Sequence, residues 1–142
     1  MMSTSPADYN AAIIDEFHAN EGHVGGPFEN TPLLLLHHTG AKSGIPRVNP
    51  AAYLLDEGRY VVFASKSGAP ANPAWYGNLK DDPDAAIEVG TETIDVVASE
   101  ATGAERERLW RTQVERQPQF GEYEAKSGRV IPVMILTPVE AG

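Results

Sequence analysis

The chain has 142 residues, with 42% hydrophobic residues, 22% charged residues and no cysteine. That length suits one domain with a real core, and the composition excludes a disulfide framework, a thiolate metal site and a catalytic thiol. The net charge of −9 argues against a nucleic-acid partner, because phosphate backbones call for a basic surface, and no apolar run approaches a membrane span.

Ser5-Pro6-Ala7-Asp8 opens a helix with a hydroxyl cap, a proline at the first helical position and an acid at the third. Ile13, Ile14 and Phe17 share one face of it, and Gly22 is its stop. Its polar residues (Asp8, Asp15, Glu16, Glu21) are mostly acidic, which is wrong for anionic lipid. Docking on the rest of the fold or on another protein is therefore expected, with peripheral membrane contact as the other reading. Residues 22–31 hold three glycines and Pro27 and read as a mobile connection. Residues 1–30 are thus expected to form a helix plus connection, and 31–142 the main domain. No secretory signal is visible, so a cytoplasmic location is expected, membrane-associated if the helix rests on lipid.

Leu33-Leu34-Leu35-Leu36 reads as a buried strand, and Gly40 to Pro46 as a turn. Val48 to Leu55 and Tyr60 to Ser65 follow as strands, joined by the hairpin turn Asp56-Glu57-Gly58-Arg59. Asn72 is expected to cap a short helix running to about Asp81, with Pro73 at its first position. Ala85 to Val89 and Thr93 to Glu100 pair across Gly90. Thr102-Gly103-Ala104-Glu105 reads as a capping box for a helix ending before Pro118, helped by Glu107 and Arg111. Val130 to Thr137 is the last strand, with Pro132 implying an edge or a bulge. Strands joined by tight turns pair antiparallel. The fold class is therefore α+β, mainly β: a small closed or split barrel of about six strands with helices in the connections.

Residues 31–80 carry Lys42, Arg47, Arg59, Lys66 and Lys80 against only Asp56 and Glu57. A basic island inside an acidic chain points to a local anionic ligand. Within it, Thr39 to Arg47 places two glycines four apart, so that successive backbone amides can face a phosphate. Lys42 adds a point charge, and Arg47 a planar fork for two oxygens. The P-loop spacing is absent, and an ordinary strand–turn–strand link is the alternative. Ala64 to Pro70, followed by Asn72 to Leu79, brings amides, hydroxyls and a helix N-terminus together. A capped helix with Trp75 and Tyr76 as core filler is the other reading there. His37 and His38 are adjacent on a strand and point to opposite faces, so they do not share a metal. His18 and His23 have no ligand spacing. Ser43, Ser65 and Ser67 lack a histidine–acid constellation, which disfavours a serine hydrolase. Tyr123 is either a gate or proton donor over a pocket, or an exposed helix residue.

An ordered set of pieces carries a resemblance over about Leu33 to Pro138. They are His38-Thr39-Gly40, Lys42-Ser43-Gly44, Pro46-Arg47, Ala64-Ser65-Lys66, Gly68-Ala69-Pro70, Pro73-Ala74-Trp75-Tyr76, Asn78-Leu79, Arg129 and Ile131-Pro132-Val133. In these the chain resembles the deazaflavin-dependent nitroreductases and F420H2-dependent quinone reductases of actinobacteria, whose members use coenzyme F420. The resemblance implies a split β-barrel like those of flavin reductases and pyridoxamine oxidases. It further implies that Lys42, Ser43, Gly44 and Arg47 hold the coenzyme's anionic tail, with Asn49 beside them and Ser65, Lys66 and Ser67 continuing the cradle. Ala64, Trp75 and Asn78 fall near the ring, and Tyr123 and Ser65 become the catalytic candidates. The implied activity is hydride transfer from reduced F420 to a small quinone or nitroaromatic acceptor. FMN is the alternative cofactor, and a non-catalytic binder of flavin, deazaflavin or tetrapyrrole the alternative function. The chain departs from the family at Ala41, where arginine is frequent, at Ser67, where glycine is, and at Asn72 and Gly77, where histidines are.

Overall fold

A computed structural model describes residues 6–25, 31–65 and 72–139. In order the elements are α1 (Pro6–Ala19), β1 (Leu33–Thr39), β2 (Pro46–Asp56), β3 (Arg59–Phe63), α2 (Ala74–Asp81), β4 (Asp84–Val89), β5 (Glu92–Glu100), α3 (Gly103–Arg116), α4 (Gln119–Ser127) and β6 (Val133–Pro138). The strands close an antiparallel barrel in the order β1-β2-β3-β6-β5-β4. β2 bends between two partners, pairing with β1 over Pro46–Ala52 and with β3 over Tyr53–Asp56. β5 serves β4 and β6 in the same way, meeting β4 over Glu92–Val97 and β6 over Val96–Glu100.

Strand alternation sorts the core into three layers. Leu34, Leu36, Val62, Ile87, Val96, Met134 and Leu136 fill the barrel, and Trp75 and Leu79 of α2 pack among them. On the outer wall, Val61, Phe63, Val133 and Ile135 are covered by Leu109 and Trp110 of α3 and Phe120 of α4. Leu33 and Leu35 face outward under Ile13 and Phe17 of α1. The apolar run of β1 is unbroken because both of its faces are covered.

α1 therefore docks on the barrel, the first of the two expectations for it. His18 Nε2 meets Glu88 Oε1 at 2.8 Å and His37 Nε2 meets Oε2 at 2.6 Å, tying α1, β1 and β4 together. Among the described residues no helix is long and apolar enough to cross a membrane.

Several local expectations change. The Ser5 cap and residues 26–30 of the connection lie outside the described residues. Pro73, not Asn72, is the N-cap of α2, and Thr102 caps α3 without a side-chain hydrogen bond. Glu107 accepts from Arg106 rather than pairing with Arg111. Pro132 precedes β6 instead of interrupting it, so its missing N–H costs the ladder nothing. A separate helix, α4, follows Pro118 and ends at Gly128 in the left-handed conformation, φ 68°.

Candidate functional site

β1 ends at Thr39, β2 begins at Pro46 and β3 ends at Phe63. Because β2 runs antiparallel to both neighbours, the Gly40–Ile45 bend and the stretch after Phe63 share one end of the barrel. α2 closes that end, with Trp75 and Leu79 packed into the barrel interior.

The first bend is compact. Gly44 takes φ +68°, and a Cβ on Gly40 would stand 2.5 Å from Ser43 Oγ and 3.4 Å from Arg47 Nε. Gly40 thus lets the Ser43 and Arg47 side chains fold onto the turn. The expected row of exposed amides is shortened by bonds within the turn and to α2. Gly40 N–H donates to Ile45 O at 3.0 Å and Gly44 N–H to Gly40 O at 2.8 Å. Ile45 N–H donates to Ser43 Oγ at 3.2 Å, and Ala41 N–H to Asn78 Oδ1 at 2.9 Å. Four of the six amides are thus taken, and the consecutive N–H groups of Lys42 and Ser43 have no hydrogen-bond partner among the described residues. The side chains of Lys42 and Ser43, and of Arg47 at the start of β2, are exposed beside them.

Asn78, 9% exposed on α2, also donates from Nδ2 to His38 Nδ1 at 3.0 Å. His38 Nε2 donates in turn to Asn49 Oδ1 at 2.7 Å. Asn49 and Arg47 lie on the same face of β2. Burial holds His38 below the usual histidine range; the Asn49 hydrogen bond opposes this, while the Arg47 and His37 charges add to it.

Arg129 ties together the described residues that flank the second stretch. Its guanidinium donates to Ala64 O at 2.9 Å, to Ser65 O at 3.3 Å and to Asn72 Oδ1 at 2.5 Å. Ala64 is fully buried and Ser65 nearly so, at 8% exposure. Lys66 and Ser67 lie outside the described residues. Trp75, weighed between core and ligand, is 6% exposed in the barrel interior. Tyr76 turns outward and donates its hydroxyl to Glu100 Oε1 at 2.8 Å, with Lys80 beside it. Tyr123 is half-buried on α4, its ring 5.2 Å from that of Phe120, which meets Phe63 at 5.6 Å.

The basic island separates into parts. Arg59 stands at the opposite end of β2, paired with Asp56 at 2.7 Å and Glu105 at 3.3 Å. Lys80 is 3.4 Å from Glu100. Among the described residues, Lys42 and Arg47 have no carboxylate within ion-pair distance. Two contributors had no role assigned from the sequence. His38 shows its signal only as a polar residue on the inward face that carries Leu34 and Leu36. Arg129 joins groups 57 to 65 residues away, a connection without a local signature.

Comparison with known proteins gives a consistent picture. The family model described as F420H(2)-dependent quinone reductase matches residues 12–138. A Mycobacterium tuberculosis protein named F420H(2)-dependent quinone reductase is 36% identical over 125 residues, covering 85% of this chain and 84% of the relative. A second protein of that organism, named a putative reductase of the same kind, is 40% identical over 107 residues, covering 75% and 90%. A solved F420-H2 dependent reductase, FDR-A, superposes with a TM-score of 0.68 at 40% identity, over 74% of this chain and 93% of its own. At the level of fold alone, a Listeria innocua pyridoxamine 5′-phosphate oxidase-like structure superposes with a TM-score of 0.55 at 14% identity, over 89% and 93%.

Proposed function

The chain belongs to the F420H(2)-dependent quinone reductase family, and on that premise we propose that Lys42 and Arg47 grip the anionic tail of reduced F420 while its ring passes a hydride to a quinone or nitroaromatic acceptor. Membership makes the protein an F420H2-dependent oxidoreductase with coenzyme F420 as its cofactor. The observation that carries the site assignment is electrostatic. Of the described cations of the basic island, Arg59 and Lys80 are ion-paired, whereas Lys42 on the first bend and Arg47 at the start of β2 have no carboxylate within ion-pair distance among the described residues. Two exposed cations at the same end of the barrel suit the phosphate and carboxylates of such a tail.

Each residue has a physical task in this reading. Lys42 supplies a compact charge and Arg47 a bidentate fork, and a charge-assisted hydrogen bond contributes about 1.5–3 kcal/mol. The small Ala64 and Ser65 let a flat ring come close to the backbone, and Lys66 and Ser67 are assigned to the continuation of the tail cradle. Asn49 and Asn78 brace the first bend through His38. Trp75 supports the ring from within the barrel, and Ser43 and Gly44 give the turn its shape. Bound reduced F420 supplies the hydride. Tyr123 and Ser65 are the hydroxyls proposed to hold or deliver the proton that the reduced acceptor takes up.

The test is anaerobic. The purified protein is titrated with F420 by fluorescence, then the reduced coenzyme is mixed with a panel of quinones and nitroaromatics. Saturable binding and acceptor-dependent reoxidation are expected, with Tyr123→Phe slowing reoxidation at unchanged affinity. Binding without reoxidation by any acceptor would instead favour a carrier. Absence of binding to the folded protein would remove the reading.

A further inference from the structure

We propose that His38 is a positioning residue of the coenzyme site: its neutral ring sets which way the Asn78 amide faces, and that amide holds the turn carrying Lys42. The inference rests on the reading of Lys42 and Arg47 given above.

Ala41 N–H can only donate, and its partner at 2.9 Å is Asn78 Oδ1. The Asn78 amine therefore faces the other way, toward His38 Nδ1 at 3.0 Å. An amine can only donate, so Nδ1 must accept and carry no proton. The ring proton then sits on Nε2, where it meets Asn49 Oδ1 at 2.7 Å. Every donor in this relay finds an acceptor in a single arrangement. Reversing Asn78 would set its amine against the Ala41 N–H. With His38 at 3% and Asn78 at 9% exposure, water is poorly placed to repair the mismatch. Burial of the imidazole favours the neutral form that the relay needs. Positive charge from Arg47, across the β1–β2 ladder, further disfavours a protonated His38.

Ala41 immediately precedes Lys42, so the relay fixes the root of that cation. Arg47 lies across the ladder from His38 itself, as His38↔Arg47 in the β1–β2 register. The imidazole thus sits beside the bases of both proposed tail-gripping side chains and holds that of Lys42 through Asn78.

Two substitutions separate the ring nitrogens. In His38→Asn the side-chain oxygen takes the place of Nδ1 and still accepts from Asn78. In His38→Gln the amine takes the place of Nε2 and still donates to Asn49, but nothing faces the Asn78 amine. Hydrogen exchange at Ala41 and Leu36, without coenzyme, reads the relay directly; fluorescence titration with F420 reads its consequence. His38→Asn is expected to keep Ala41 protected and to bind F420 within about two-fold of the wild type. His38→Gln should speed Ala41 exchange and weaken F420 binding, each by about ten-fold, the equivalent of one lost hydrogen bond, with Leu36 unchanged. Asn78→Ala is the control for a glutamine variant that fails to fold, and should expose Ala41 while leaving Leu36 protected. Equal behaviour of the two histidine variants at Ala41, whether both protected or both exposed, overturns the proposal, as does an Ala41 amide still protected in Asn78→Ala. A wild type that does not bind F420 removes the functional reading, while the exchange measurement still decides the relay.

Discussion

Asp56 accepts Arg59 Nη2 at 2.7 Å and both terminal nitrogens of Arg108, at 3.0 and 3.1 Å. These hydrogen bonds, that of Arg108 foremost, hold its carboxyl down at about 2. A carboxyl lower in the folded than in the unfolded chain stabilises the fold above its ordinary range, near 4, and loses that contribution as pH falls toward 2. Asp56→Asn should therefore cost about 1 kcal/mol at neutral pH, discounted for the exposed Arg108, and almost nothing near pH 2. Denaturant unfolding of both proteins across that range checks it, and a constant difference would contradict it. Asp56 also explains why a count of charges misplaced the basic island. Arg59 is close to Lys42 in composition but is committed to Asp56 and Glu105 at the far end of β2. The cations on the first bend were legible because glycines and charge fall together there. The task of His38 was not, because it depends on Asn78, 40 residues away.

At the scale of elements, α1 shows how a local signal acquires its meaning from a distant one. Ile13 and Phe17 marked an apolar face in the sequence, but not what covers it. The answer is the outer wall of β1, with Phe17 only 1% exposed. Phe17→Ala should cost about 3 kcal/mol and lower Tm. Behind α1, Gly22 has φ +99° and lies so close to the β4–β5 turn that a Cβ would be 2.7 Å from Gly90 Cα. Gly90 N, at 3.0 Å, is backbone as well, so nothing flexible can yield. Gly22→Ala should destabilise by more than about 1 kcal/mol and open α1 to limited proteolysis before the barrel unfolds; unchanged protease resistance would contradict this docking. The strands were legible because their alternation and turns are local, whereas the caps were less so. Asn72 has a good capping side chain, yet Arg129 takes its oxygen. α4 was hidden because Gln119–Ser127 is short, polar and carries Gly121, and only Phe120 is buried along it.

Over the whole molecule, the closing steps of the barrel are the ones that adjacency along the chain does not dictate. β6 enters between β3 and β5, and β1 meets β4 over only Leu35–His37. The consecutive pairings β1–β2 and β2–β3 already put the Gly40–Ile45 bend and the end of β3 at one mouth, where α2 packs into the closed barrel. A chain of net charge −9 repels an anionic coenzyme at long range, so binding depends on cations at close quarters. The most direct measurement is a fluorescence titration of F420 into the wild type and into the Lys42→Ala, Arg47→Ala double variant, with both proteins shown to be folded. Saturable binding to the wild type and a loss of roughly a hundred-fold or more in the double variant are predicted. A double variant that binds as tightly as the wild type would place the coenzyme's tail elsewhere.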